Sequence, residues 1–179
     1  MLEIEIAEEE LFDEETRTFI PIKKTKLRFE HSLVSIAKWE SKWHKPFLDN
    51  REITAEEMLD YLKCMCLTQN PDPNAIEHMS AENLKKIIDY MQDKQTATWF
   101  NERDNKPGKK EIITNELIYF WMAENGIWKE CEKWHINHLL TLIRVCSAKR
   151  APQKKMSRGE VYDRQRALNK ARRKPKKPR

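Results

Sequence analysis

Glycine is nearly missing from this chain of 179 residues: Gly108, Gly126 and Gly159 are the three it has. No two lie close enough to form a GxGxxG turn, a GxxxxGK[ST] phosphate loop or a GxSxG nucleophile elbow, which removes the commonest dinucleotide, nucleotide and hydrolase motifs. Cysteine is also sparse. Cys64, Cys66, Cys131 and Cys146 are too few and too scattered for a secreted disulfide framework, and each stands among apolar residues, where a thiol behaves as a small hydrophobe; all four are read as reduced. Long apolar runs are lacking as well. Nothing approaches the roughly 18 residues of a membrane span, and the opening MLEIEIAEEELFDEE is acidic where a secretory leader is basic and then apolar. The expectation is a cytoplasmic protein with no membrane partner.

What is abundant is charge, and it is segregated. Residues 1–15 hold eight acids and no base, whereas residues 149–179 hold fourteen Lys or Arg against Glu160 and Asp163. Such polarity fits an acidic arm and a basic tail able to meet a polyanion or an acidic protein face, or simply to keep the chain soluble.

Periodicity divides the chain. LEIEIA at 2–7, TFIPI at 18–22 and KLRFEH at 26–31 alternate with period two and predict two or three short antiparallel strands, with Pro21 on an edge or at a bend. From Ser32 the period becomes helical. Ser32 is a candidate N-cap for a helix carrying Leu33, Ile36, Trp39 and Trp43. Thr54 and Glu57 form a capping box ahead of Met58, Leu59, Leu62, Met65 and Cys66. NPDPN at 70–74 reads as a rigid turn, and Ser80 caps a helix with Leu84, Ile87, Ile88 and Met91. TATWF at 96–100 reads as extended and NERDNKPGKK at 101–110 as a mobile surface loop. EIITNELIYFWMAENGIW, the most apolar stretch, predicts a central helix ended by Gly126 in a left-handed cap with Ile127 beyond it. A helix over about 130–148 follows with Ile136, Leu139, Leu140 and Ile143, then a basic helix opened by Ser157 and Glu160. Its one seven-residue apolar step is Val161 to Leu168, which leaves it in need of a partner. The fold class is therefore α+β, mainly α: an acidic β arm at 1–31, a helical core at 32–148 and a basic helical tail at 149–179.

Chemistry is harder to find. On the expected helix Cys131, His135 and His138 fall at i, i+4 and i+7, a narrow arc that could approach one ion, but no second ligand pair accompanies it and the reading is packing, not metal. His31, His44 and His78 stand near helix ends, where imidazoles bond free backbone groups. No nucleophile or acid and base pair stands out, so the chain is read as non-enzymatic, without catalytic residues or cofactor. The basic end lacks aromatics for base stacking, which disfavours nucleic acid as its partner. Candidate partner contacts are Trp39 and Trp43, one turn apart, with burial in their own domain as the competing reading, and Arg164, Arg166, Arg172 and Arg173 in the tail.

The succession HSLVSIAKWESKWHKPFL, EEMLDYLKCMCLTQNPDPN, TATWF, EIITNELIYFWM, CEKWHINHLLTLIRVCSAKRAPQKKMSR and RALNKARR, from about residue 25 to the end, resembles a family of small proteins encoded in the tail gene block of long-tailed bacteriophages and prophages. Members are often labelled tail assembly chaperones. The resemblance implies a homo-oligomeric helper in the host bacterial cytoplasm that coats the tape measure protein, meets the tail tube protein, and uses Met58, Met65, Met79 and Met91 as adaptable contacts. A virion component, whose basic tail lies on DNA or on a neighbouring subunit, is the alternative it leaves open.

Overall fold

The computed structural model describes residues 1–13, 17–49, 53–100, 111–150 and 158–172. The chain forms two compact units, Met1–Ser147 and Ala148–Arg179. It is α+β and mainly helical.

The first unit opens with four strands, β1 Leu2–Ile6, β2 Glu9–Asp13, β3 Thr18–Ile22 and β4 Thr25–Phe29. β1 pairs antiparallel with β4, and β2 with β3. In every pair, from Leu2 with Phe29 to Asp13 with Thr18, the two residue numbers have the same sum, so the two ladders are one hairpin interrupted at 7–8 and 23–24. A two-stranded ribbon offers only edges, the setting Pro21 requires. At its base Ile4, Ile6, Leu27 and Phe29 are buried and the alternate residues face water. Past the interruption the buried side changes phase: Ile22 is buried, Leu11 and Ile20 are half-buried, and Phe12 and Phe19 are exposed. Two-stranded ribbons twist strongly, and the break in the ladder is where the ribbon turns its other face to the domain. The free edge of β4 is covered by the chain leaving the second helix, with Glu30 N–H donating to the Met65 carbonyl (3.0 Å) and Leu67 N–H to that of Arg28 (2.8 Å).

Helix α1, Leu33–Trp43, is capped by Ser32 and closed by His44 in the left-handed region, φ 54°. Leu33, Ile36 and Trp39 recur at three-residue steps and are all buried, which makes α1 the element touched by α2 Ala55–Met65, by α5 Asn115–Glu124 and by a 3-10 helix Lys129–Lys133. Thr54 and Glu57 complete the capping box of α2 reciprocally. Tyr61, on the same helix, stacks on Phe47 at 3.9 Å between centroids, and Phe47 meets Trp39 edge-on at 5.2 Å. α3 Pro73–Glu77 starts inside NPDPN, because Asp72 caps it and Pro73 sits in the first turn where its missing N–H costs nothing. α4 Ala81–Gln92 is capped by Ser80 and buries Ile87, with Ile88 left outside. Residues 96–100 run without strand pairing, and the 101–110 loop lies outside the described residues.

Two expectations need correction. α5 is not the central helix: it buries Asn115, Ile118 and Met122 but exposes Phe120 at 59%. Its two-sided apolarity reflects an uncovered surface, and the centre belongs to α1. The helix expected from 130 starts at Ile136, as α6 Ile136–Arg150, after the 3-10 helix and a bend. The reason is long-range. His135 bridges to Ser32, and Ile136 N–H donates to the His31 carbonyl at 2.7 Å, which holds this backbone extended just where a helix would have run through. The Gly126 cap forms as the sequence implies, with φ 61° and Ile127 N–H reaching the Met122 carbonyl at 2.9 Å.

One interaction ties three segments. The buried Glu40 carboxylate of α1 accepts from Phe47 N–H (2.7 Å) with one oxygen, and from Asn115 N–H (2.8 Å) and Asn115 Nδ2 (2.7 Å) with the other. It caps α5 from another helix, where Thr114 makes no side-chain cap of its own.

Candidate interaction surfaces

The tryptophan pair is the first candidate to place. Trp39 is 1% exposed and its Nε1–H donates to the Glu57 carbonyl at 2.8 Å, so it anchors α1 to α2 and cannot meet a partner. Trp43 is half-buried, stacks on Trp39 at 6.3 Å, and donates to Asp60 Oδ2 at 2.9 Å. Lys42 pairs with the same Asp60, and that bond comes before the charge attraction in holding its carboxyl below the usual range against the opposing effect of partial burial. The amphipathic spacing that suggested an anchor is the spacing of a core stripe. Met65 and Met79 are buried and Met58 and Met91 half-buried, so the methionines too fill the interior rather than a flexible contact face.

The basic tail contains α7, Arg158–Arg172. Every residue from 161 to 170 is exposed, including Val161, Tyr162 and Leu168 among the apolar ones and Arg164 and Arg166 among the basic ones. Arg172 is its last residue; Arg173 and Ser157 lie outside the described residues. A helix of this length is marginal in water unless something packs on it.

Cys131, His135 and His138 do not share a helix. Cys131 is buried in the 3-10 turn, His135 precedes α6 and accepts from Asn137 N–H through Nδ1, and His138 stacks on Trp134 at 4.9 Å. No group of three or more His, Cys, Asp or Glu that could hold a metal occurs among the described residues. What does come together is His31 with His135, at 5.2 Å between centroids. His31 Nδ1 meets the Tyr61 hydroxyl at 2.5 Å, and His135 Nε2 lies 3.0 Å from the Tyr90 carbonyl. Tyr90 donates its hydroxyl to Glu30 Oε1 at 2.6 Å, and the Met1 amino group pairs with Glu30 Oε2 at 2.8 Å. Burial, and then the neighbouring His135, push His31 down to about 3; burial also lowers His135 and raises Tyr61. Both imidazoles are therefore neutral at pH 7, and the cluster acts as a hydrogen-bonded strut between the β4–α1 junction, α2, α4 and the segment just before α6.

Exposed aromatics form the surface the sequence pattern left unassigned. Phe12 and Phe19 are 54% and 67% exposed and pack on each other across the hairpin at 5.2 Å. Trp99 is 77% exposed beside Phe100, over whose ring the Arg144 guanidinium sits at 4.4 Å. A signal for the first pair was present: in FDEETRTF the two rings flank a short acidic stretch, and the pairing of β2 with β3 sets them opposite each other. Trp99 has no such signal, since TATWF gives no period that separates an inward from an outward ring. Comparisons with family models, with curated proteins and with solved structures find no match for this chain.

Proposed function

We propose that the protein is a bacteriophage tail assembly chaperone, which binds the helical tape measure protein in the host cytoplasm and keeps it soluble until the tail tube forms. The observation that carries the reading is α7: a basic helix exposed over residues 161–170, with Val161, Tyr162 and Leu168 free to pack on a helical client while the arginines bind its acids. The phage resemblance supplies the client's identity. The role requires a non-catalytic binding protein, and the buried neutral histidine pair suits a scaffold better than an acid or base.

Co-expression tests it. A tape measure protein that stays soluble only alongside this chain, with a complex on gel filtration that V161S/L168S or R164E/R166E abolishes, supports the chaperone. Equal solubility with and without the chain, together with its stoichiometric recovery in purified virions, moves the reading to a virion component.

A further inference from the structure

The hairpin end and the Trp99 groove are complementary, and both lie within Met1–Ser147. The groove is a cavity of about 330 Å³ between the segment after α4 and the outer side of α6, lined by Lys94, Trp99, Phe100, Asn137, Leu140 and Arg144 among others. That volume accommodates small side-chain groups. Neither Lys94 nor Arg144 has a carboxylate partner among the described residues, so the groove presents two cations beside two rings. Asn137 fixes its floor by donating to the Met91 carbonyl at 3.2 Å and the Asp93 carbonyl at 2.8 Å.

The hairpin end has the opposite character. Six acids stand between positions 8 and 15, with Arg17 the one base before Lys23. Glu8, Glu9 and Glu10 are exposed, and the phase change in the ribbon turns Phe12 and Phe19 away from their own domain. None of the described hairpin residues lines the groove, so a hairpin end seated there comes from a second copy.

We propose that the Phe12–Phe19 end of one copy's hairpin seats on Trp99 and Phe100 of a second copy, with its carboxylates against Lys94 and Arg144. The contact is heterologous: each copy offers a hairpin and a groove, so association builds rings or open chains rather than closing at a simple two-fold dimer. It stands on the geometry of this unit alone and holds or fails independently of the phage reading.

Sedimentation velocity on the full chain, over a rising concentration series at low salt, tests the contact. The expected result is concentration-dependent association that weakens as salt is added. F12S/F19S and, separately, K94E/R144E should each weaken it by roughly tenfold or more with unchanged circular dichroism, because all four side chains lie at the surface. E9K/E10K should weaken it likewise, and an equimolar mixture of E9K/E10K with K94E/R144E should associate again. A monomer at every concentration overturns the proposal, as does association that these variants leave intact. Loss in R164E/R166E with no loss in K94E/R144E assigns the acceptor to the tail and overturns it too. Saturable quenching of Trp99 by a short single-stranded oligonucleotide, absent from W99F and unaffected by F12S/F19S, would reassign the groove to nucleic acid.

Discussion

The base and the end of the N-terminal hairpin share one register, yet the base buries Ile4, Ile6, Leu27 and Phe29 while the end presents Phe12 and Phe19 to water. Alternation fixes that both halves are strands. It does not fix which face is covered, because that depends on what the rest of the chain places beside the ribbon: α4 and the residues after α2 at the base, and α3 beside β3 at the end, which leaves the Phe12 and Phe19 face open. The base is therefore part of the core, while at the end Phe12 and Phe19 pack on each other in water.

The largest effect that sharpens this contrast is at the base. Phe29→Ala should cost about 3–5 kcal/mol and Leu27→Ala about 2–5 in urea unfolding, since both side chains are fully buried and removal leaves a cavity. A cost at Phe29 as small as that of a surface substitution, within about 0.5 kcal/mol, would show that the base is no more integral than the end.

Carboxylates draw the same line. Glu40→Ala should destabilise by about 2–3 kcal/mol, because it strands Phe47 N–H and both Asn115 donors in the interior. Glu9→Gln, at an exposed position of β2, should leave the unfolding midpoint where it is. Equal effects at the two sites would mean that the buried cap is not formed in solution.

Acid probes the base through His31. His31 is held at about 3 in the folded protein against an ordinary 6.5, so below 6.5 the unfolded chain binds a proton that the native state refuses. Stability should be full above 6.5 and fall with acid by up to about 1.4 kcal/mol per pH unit until about 3, where the native imidazole also protonates. The groups facing it, Tyr61, His135, and beyond them Glu30 and Tyr90, offer no carboxylate directly bonded to the His31 ring. His31→Asn keeps a polar partner for Tyr61 and should flatten that slope. An unchanged slope in His31→Asn assigns the acid sensitivity elsewhere.

How much was legible follows from the range of each interaction. Ser32, Thr54 with Glu57, Ser80 and Gly126 act within a turn of their own position, and the sequence discloses each of them. The strand β2 hid in a run of acids, where an acidic arm and a half-exposed strand look alike. The start of α6, the cap from Glu40 and the His31 strut depend on partners 30 to 105 positions away, as with Tyr61 for His31 and His31 for Ile136, and no local pattern announces them. Trp39 and Trp43 show the converse: two large rings at helical spacing are equally good evidence for an anchor or for a core, and the N–H bond of Trp39 to Glu57 decides for the core. Among the candidate arginines, Arg164 and Arg166 fall on a helix exposed along residues 161–170, which is as far as charge alone could place them.

The smallest expected effect lies at the hairpin end and is the one that isolates its role. A cross-strand aromatic pair is worth about 0.5–1 kcal/mol, but the end can fray without opening the base, because the ladder is already interrupted at 7–8 and 23–24. Phe12→Ala should therefore change global stability by less than about 0.5 kcal/mol, and speed amide exchange at Leu11 and Ile20 by about two- to fivefold, the local opening that the lost pair allows. Exchange at Ile4 and Leu27, across the interruption, should stay at the rate of global unfolding. Were Phe12→Ala to accelerate Ile4 and Leu27 as much as Leu11 and Ile20, the hairpin would open as one body, and its two halves would differ in exposure but not in stability.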